Sequence, residues 1–202
     1  MKITGWFPSW ILFKPKYYYE NRKIQKRWIK DNAIIASNHR TTLDPFLLMF
    51  VFTTRYLHCI VGEFIYENIP FVGTILDLFG SIKVERFTAN PDYLNVCNNI
   101  LSSGGIIQIY PESHLPKPNQ TELSPFKSSV ILMSIQTRSP IIPIYHCGNY
   151  GLFKREKIVI GVPMHLYENC QQINPTVEKL KKFTKILEDK INQLKLMVSH
   201  DR

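Results

Sequence analysis

Short apolar runs punctuate the chain at residues 33–36, 58–61, 81–85, 106–110, 141–145 and 157–160. Several are apolar at nearly every position, and a run too short for a helix with no polar side reads as a strand covered on both faces. Helix starts are equally legible. Four times a residue able to cap precedes a proline: Asp44-Pro45, Asn90-Pro91, Ser124-Pro125 and Asn174-Pro175. The capping oxygen accepts from the exposed N–H groups of a first turn, and proline at the first helical position forfeits no needed donor. The pattern predicts helices from about Pro45, Pro91, Pro125 and Pro175. The last carries Val177, Leu180, Leu187, Ile191, Leu194 and Val198 at helical spacing opposite a lysine-rich side, as in an amphipathic helix laid on a domain. Strands alternating with helices predict an α/β fold with a central, mostly parallel or mixed sheet flanked by helices.

Length and composition leave that picture intact. The chain has 202 residues, 45% hydrophobic and 20% charged, enough for one domain with a sizeable core and inconsistent with disorder throughout. Charge adds a second feature, since 25 Lys and Arg against 16 Asp and Glu leave +9. Residues 1–30 hold eight of the cations (Lys2, Lys14, Lys16, Arg22, Lys23, Lys26, Arg27 and Lys30) and one acid, Glu20. Such an arm suits nucleic acid, an anionic membrane or an anionic substrate. Trp6, Phe7, Trp10, Ile11, Leu12 and Phe13 precede Tyr17, Tyr18 and Tyr19, set among Lys14 and Lys16. Aromatics beside cations suit the membrane–water interface, so residues 1–30 are expected to form a membrane-associating segment and residues 31–202 a single domain. The alternative is that these side chains pack onto the domain. No run of about 18 apolar residues predicts a spanning helix, and no signal peptide with a small-residue cleavage site is evident. Cys59, Cys97, Cys147 and Cys170 are widely spaced, which predicts reduced thiols rather than a zinc site.

Candidate chemistry concentrates where predicted strands end. Asn38, His39 and Asp44 follow one strand and open a helix. A neutral imidazole can take a proton near neutral pH, and a carboxylate on its second nitrogen fixes the tautomer. On a continuous helix five residues turn about 500°, so the two side chains would point about 140° apart. They meet only if His39 lies in the loop and Asp44 at the helix mouth. Otherwise Asp44 is a cap and His39 an ordinary loop histidine. A metal site would need further ligands, and His58, His114, His146, His165 and His200 show no ligand spacing. In the run from Gly80 to Arg86, Ile82 and Val84 share one face, Lys83 and Glu85 the other, and Arg86 at the strand end can grip a phosphate. Equally, this is an edge strand with charges facing water. Another strand ends in Pro111, Glu112 and Ser113, at the kind of place where sites form in α/β sheets, or simply in a turn. Pro143 within an apolar run fits an edge or a bulge and is assigned no chemistry.

These segments together resemble the glycerolipid acyltransferase family, which includes the 1-acyl-glycerol-3-phosphate acyltransferases. Asn38, His39 and Asp44 match its Asn-His-x-x-x-x-Asp block; Gly80, Ile82, Val84 and Arg86 its second; Pro111 and Glu112 its Pro-Glu block; Ile141 to Ile144 its Ile/Val-Pro run. Gly161 and Pro163 are similar to its last strand, so the resemblance covers roughly residues 33–163 in order. It implies acyl transfer from acyl-CoA or acyl-carrier protein to a lysolipid hydroxyl, with His39 as general base and Asp44 holding it. Asn38, Arg86, Glu112 and Ser113 would bind substrate. It implies no metal and no other cofactor, and a peripheral protein at the cytoplasmic face of a membrane with anionic lipids, with no nucleic-acid partner. One departure stands out. The family's third block reads Pro-Glu-Gly-Thr-Arg, whereas here Ser113, His114 and Leu115 follow Glu112. Leu115 has no donor for a phosphate, so Arg86, Lys83, Lys117 or Lys127 supplies the charge or the acceptor is not a phosphate ester. A non-phosphate acceptor or a non-catalytic lipid-binding relative are the alternatives.

Overall fold

The computed structural model describes residues 13–68, 72–84, 92–151, 154–170 and 173–199. Each apolar run becomes a strand. In chain order the strands are β1 (Lys16–Tyr19), β2 (Ala33–Ser37), β3 (Leu57–Gly62), β4 (Ile82–Val84), β5 (Ile106–Ile109), β6 (Ile141–His146) and β7 (Lys157–Ile160). They form one sheet in the order β1-β7-β6-β2-β5-β3-β4. Pairing is parallel throughout except between β6 and β7, so β7 and β1 run against the other five.

Period-two alternation sends neighbouring side chains to two separate cores. Ile34, Ala36, Ile107, Ile109 and Val159 meet helices α4 (Asp92–Ser102), α5 (Ser129–Thr137) and α6 (Val177–Ser199). Ala33, Ile35, Ile106, Ile142, Ile158 and Ile160 meet α1 (Asp44–Val51) and the short helices α2 (Glu63–Asn68) and α3 (Val72–Leu78). On α6 the buried stripe is Phe183, Leu187, Ile191, Leu194 and Val198, whereas Val177 is exposed.

Three expectations are corrected or narrowed. The helix expected from Pro125 starts at Ser129. The Ser124 N–H donates to Glu112 Oε2 at 2.7 Å and the Lys127 N–H to the Pro111 carbonyl at 2.9 Å, so this segment is tied to the end of β5 instead of turning. Pro143 lies in an interior strand, not at an edge. Its carbonyl accepts from the Gly161 N–H on the β7 side, and Ile141 then pairs with Met164, so the span 161–164 opposes the shorter span 141–143: the bulge alternative holds, and the donor that proline lacks falls at this irregularity. Part of the expected arm belongs to the domain: β1 is an edge strand, and Phe13 is buried against Tyr150 with ring centroids 5.0 Å apart. Residues 1–12, and with them Trp6, Trp10 and Lys2, lie outside the described residues, as does the expected start at Asn90-Pro91.

Lys16 is level with Lys157, beside the carboxyl end of β6, and Tyr19 with Ile160. The chain then crosses to the amino end of β2, with Arg22 over the Tyr19 ring and Arg27 over the Tyr17 ring. No helix among the described residues is long and apolar enough to cross a membrane.

Candidate active site

The carboxyl ends of β2, β5, β3 and β4 surround a cavity of about 220 Å3. Its lining includes His39, Tyr110, Ser113, Lys127 and Ser129. His39 lies in the loop between β2 and α1, and Asp44 is the first residue of α1. His39 Nδ1 is 2.7 Å from Asp44 Oδ2. An ionised carboxylate only accepts, so Nδ1 carries the hydrogen, and in the neutral ring the lone pair is on Nε2. The His39 ring also stacks on Tyr110, with centroids 4.3 Å apart and planes 16° apart.

Asp44 is fully buried and does not cap α1. Its carboxylate faces backward into the loop. Oδ2 accepts from the Arg40 N–H at 2.6 Å and the Thr41 N–H at 2.9 Å; Oδ1 accepts from Thr41 Oγ1 at 2.9 Å and the Tyr150 hydroxyl at 2.6 Å. Burial alone would raise this carboxyl, but the His146 charge and the hydrogen bonds from His39, Tyr150 and Arg40 hold it well below the usual carboxylate range. Tyr150 is pushed far up, first by burial and then by the Asp44 charge, so its hydroxyl stays a donor.

Glu112 is buried too, and both its oxygens serve backbone. Oε1 accepts from the His39 N–H at 2.8 Å and Oε2 from the Ser124 N–H at 2.7 Å. It clamps the His39 loop to the segment that carries Lys127. This arrangement can deprotonate a hydroxyl placed in the cavity.

An acyltransferase family model matches residues 16–147. The chain belongs to the acyltransferase family. Among its relatives are 1-acyl-sn-glycerol-3-phosphate acyltransferases of Borreliella burgdorferi and Saccharomyces cerevisiae. The first is 25% identical over 156 residues, covering 75% of this chain and 58% of that protein. The second is 22% identical over 172 residues, covering 80% and 55%. The chain thus spans little more than half the length of these curated relatives. The crystal structure of the 1-acyl-sn-glycerophosphate (LPA) acyltransferase from Thermotoga maritima superposes over 98% of this chain and 77% of that one, with a TM-score of 0.67 at 18% identity, which shows a shared fold.

Within this acyltransferase domain the expected substrate-binding residues divide. Asn38 is fully buried. Its amide donates to the His146 carbonyl and accepts from the His146 N–H, both at 2.9 Å, so it ties β2 to β6 and has no exposed atom for substrate. Glu112 is likewise committed to backbone, each carboxylate oxygen accepting from an N–H. Ser113 lines the cavity. Arg86 lies outside the described residues. Of the cations proposed to replace the missing arginine, Lys127 lines the cavity, while Lys83 sits over the Tyr66 ring, 5.9 Å from its centroid. Leu115 and His114 are exposed and outside the lining. His146, Tyr150 and Glu156, which stand behind Asp44, are missed by the sequence reading; no local motif marks them. Among the described residues no three His, Cys, Asp or Glu side chains converge as a metal site requires.

Proposed function

We propose that this chain moves a fatty-acyl group from a thioester, acyl-CoA or acyl-carrier protein, to the free hydroxyl of 1-acyl-sn-glycerol-3-phosphate, giving phosphatidic acid. The observation that carries the reading is the His39–Asp44 pair at 2.7 Å, its imidazole on the wall of a cavity that also presents Lys127. His39 Nε2 removes the hydroxyl proton as the oxygen attacks the thioester carbonyl. The tetrahedral intermediate collapses, the carbon–sulfur bond breaks, and the imidazolium returns the proton to the leaving thiolate. Ester and thiol are the products. Lys127 holds the acceptor's phosphate by a charge-assisted bond. The names of the relatives in Borreliella burgdorferi and Saccharomyces cerevisiae support this acceptor.

Leu115 favours one second reading, in which the acceptor is an uncharged lysolipid. The reaction takes place at the cytoplasmic face of a membrane, where neither substrate has to lift its chain through water. Each cation beside an anionic leaflet adds about 1 kcal/mol of attraction.

A single assay tests these points. Thiol release is followed with acyl-CoA or acyl-carrier protein, and acceptors are offered in anionic vesicles. Lysophosphatidic acid should drive release, and the protein should sediment with the vesicles. His39→Ala should lower the rate by about 10²–10⁴. Lys127→Met should weaken use of lysophosphatidic acid by about 10- to 100-fold and leave monoacylglycerol unaffected. Release from monoacylglycerol alone would transfer the assignment to the second reading, and parent-level turnover by His39→Ala would end both.

A further inference from the structure

His146, at the end of β6, is fully buried, 3.7 Å by Nε2 from Asp44 Oδ2 and 3.7 Å by Nδ1 from Glu156 Oε1. Hydrogen-bond accounting fixes its protonation. Nε2 lies 2.9 Å from the Asn38 carbonyl oxygen, which can only accept, so Nε2 carries a hydrogen. Nδ1 faces two oxygens, those of Glu156 and of the Tyr150 hydroxyl at 3.4 Å. Tyr150 has one proton, and it goes to Asp44 Oδ1 at 2.6 Å, so toward His146 that oxygen can only accept. A lone pair on Nδ1 would face lone pairs alone.

We propose that His146 is a buried imidazolium and a positioning residue for acyl transfer, the third member of a chain running Glu156–His146–Asp44–His39. It sits between two carboxylates and lends its charge to both, so that Asp44 stays ionised and pointed at His39. The inference rests on the assignment of His39 as the base.

The surroundings are built for this. Glu156 is fully buried, and its carboxylate accepts from the Gly148 N–H at 2.9 Å and the Asn149 N–H at 2.5 Å. Its own backbone is pinned by the Phe13 carbonyl at 2.9 Å and the Lys16 N–H at 2.7 Å. Groups facing His146 are therefore Asp44 from α1, Glu156 from the lead into β7, Tyr150 from the loop after β6 and the Asn38 carbonyl after β2. Burial by itself would lower the imidazole's proton affinity, but the Asp44 and Glu156 charges and the bond to Asn38 raise it above the ordinary histidine value. The same cation tempers the base. Without it the full Asp44 charge acts on His39, 2.7 Å away.

Imidazole nitrogen shifts of the full chain read this directly. His146, identified by its loss in His146→Gln, should show both nitrogens protonated at pH 7.5, where an unperturbed histidine is neutral. A neutral tautomer there overturns the proposal. In His146→Gln the acid limb of the kcat/KM profile should move upward. Activity near pH 6 then falls several-fold more than activity near pH 8. A uniform loss at every pH, with the acid limb where the parent has it, marks a merely structural residue and rejects the idea. His146→Gln/Glu156→Gln removes both buried charges and serves if the single variant does not fold; the closer charge is the one lost to Asp44, so the upward shift should persist. Should the parent transfer no acyl group, the nitrogen shifts still decide the charge of His146, separating failure of this inference from failure of the assigned reaction.

Discussion

A glycine-to-serine departure is what the individual residues make most visible. Ser113 stands where the family's third block has glycine, and its φ is +63°. The residue after Glu112 thus takes the left-handed backbone that favours glycine. A side chain in that region costs about 1–2 kcal/mol, partly offset by the greater freedom a glycine loses on folding. Ser113 recovers little locally, since its hydroxyl reaches only the Pro111 carbonyl at 3.4 Å. Ser113→Gly should therefore stabilise the fold by up to about 1 kcal/mol, read as a higher urea midpoint at unchanged slope. A lower midpoint would mean that the hydroxyl bond outweighs the backbone. At the same scale the contact of His39 with Asp44 was legible because it is local: five positions apart, they needed only a loop before the proline-started helix. Asn38 and Glu112 were expected to bind substrate. Both are polar groups that burial commits to backbone partners, and a sequence cannot distinguish a buried polar anchor from an exposed binding group.

Elements carry the next constraint, where α6 crosses the β6–β7 junction. A Cβ on Gly161 would stand 2.7 Å from Pro143 Cγ, 3.0 Å from the Pro143 carbonyl oxygen and 3.0 Å from Leu194 Cδ1. Proline on one strand and glycine just past the other thus form a single fitted contact, roofed by the helix, which gives a physical reason for both motif positions. Gly161→Ala should cost about 1–3 kcal/mol, as overpacking does, and lower the thermal midpoint. Parent-like stability would show that α6 slides off this junction without resistance. Five of the six runs became strands because near-continuous hydrophobicity is a strong signal in a sheet buried on both sides, and the sixth, 81–85, because Ile82 and Val84 alternate with polar residues. β1 escaped notice because Lys16 and three tyrosines read as an interfacial arm, and an edge strand need not be apolar. α2 and α3 have no cap-proline start, and the false start at Pro125 arose from a Ser124 N–H claimed by a carboxylate twelve positions earlier.

For the whole molecule, the part of the site no local reading could reach is the one that joins distant strands. Asn38 and His146 are 108 positions apart and bond in both directions, and Tyr150 reaches Asp44 across 106. This buried network ties stability to pH through two groups of opposite sign. The Asp44 carboxyl is depressed in the fold, so its contribution is present above its unfolded value of about 3.9 and is lost as pH falls from there toward the folded value. The His146 imidazole is raised, so its contribution is complete below its unfolded value of about 6.5 and is lost as pH rises through the folded value. Between them the two leave a stability maximum from about pH 4 to pH 6.5, with a decline on the alkaline side that belongs to His146 alone of the pair. Thermal midpoints measured from pH 5 to pH 9 should fall above pH 6.5 in the parent. In His146→Gln, whatever its absolute stability, that component of the fall should vanish. Parallel curves for the two proteins would place the alkaline sensitivity elsewhere in the fold.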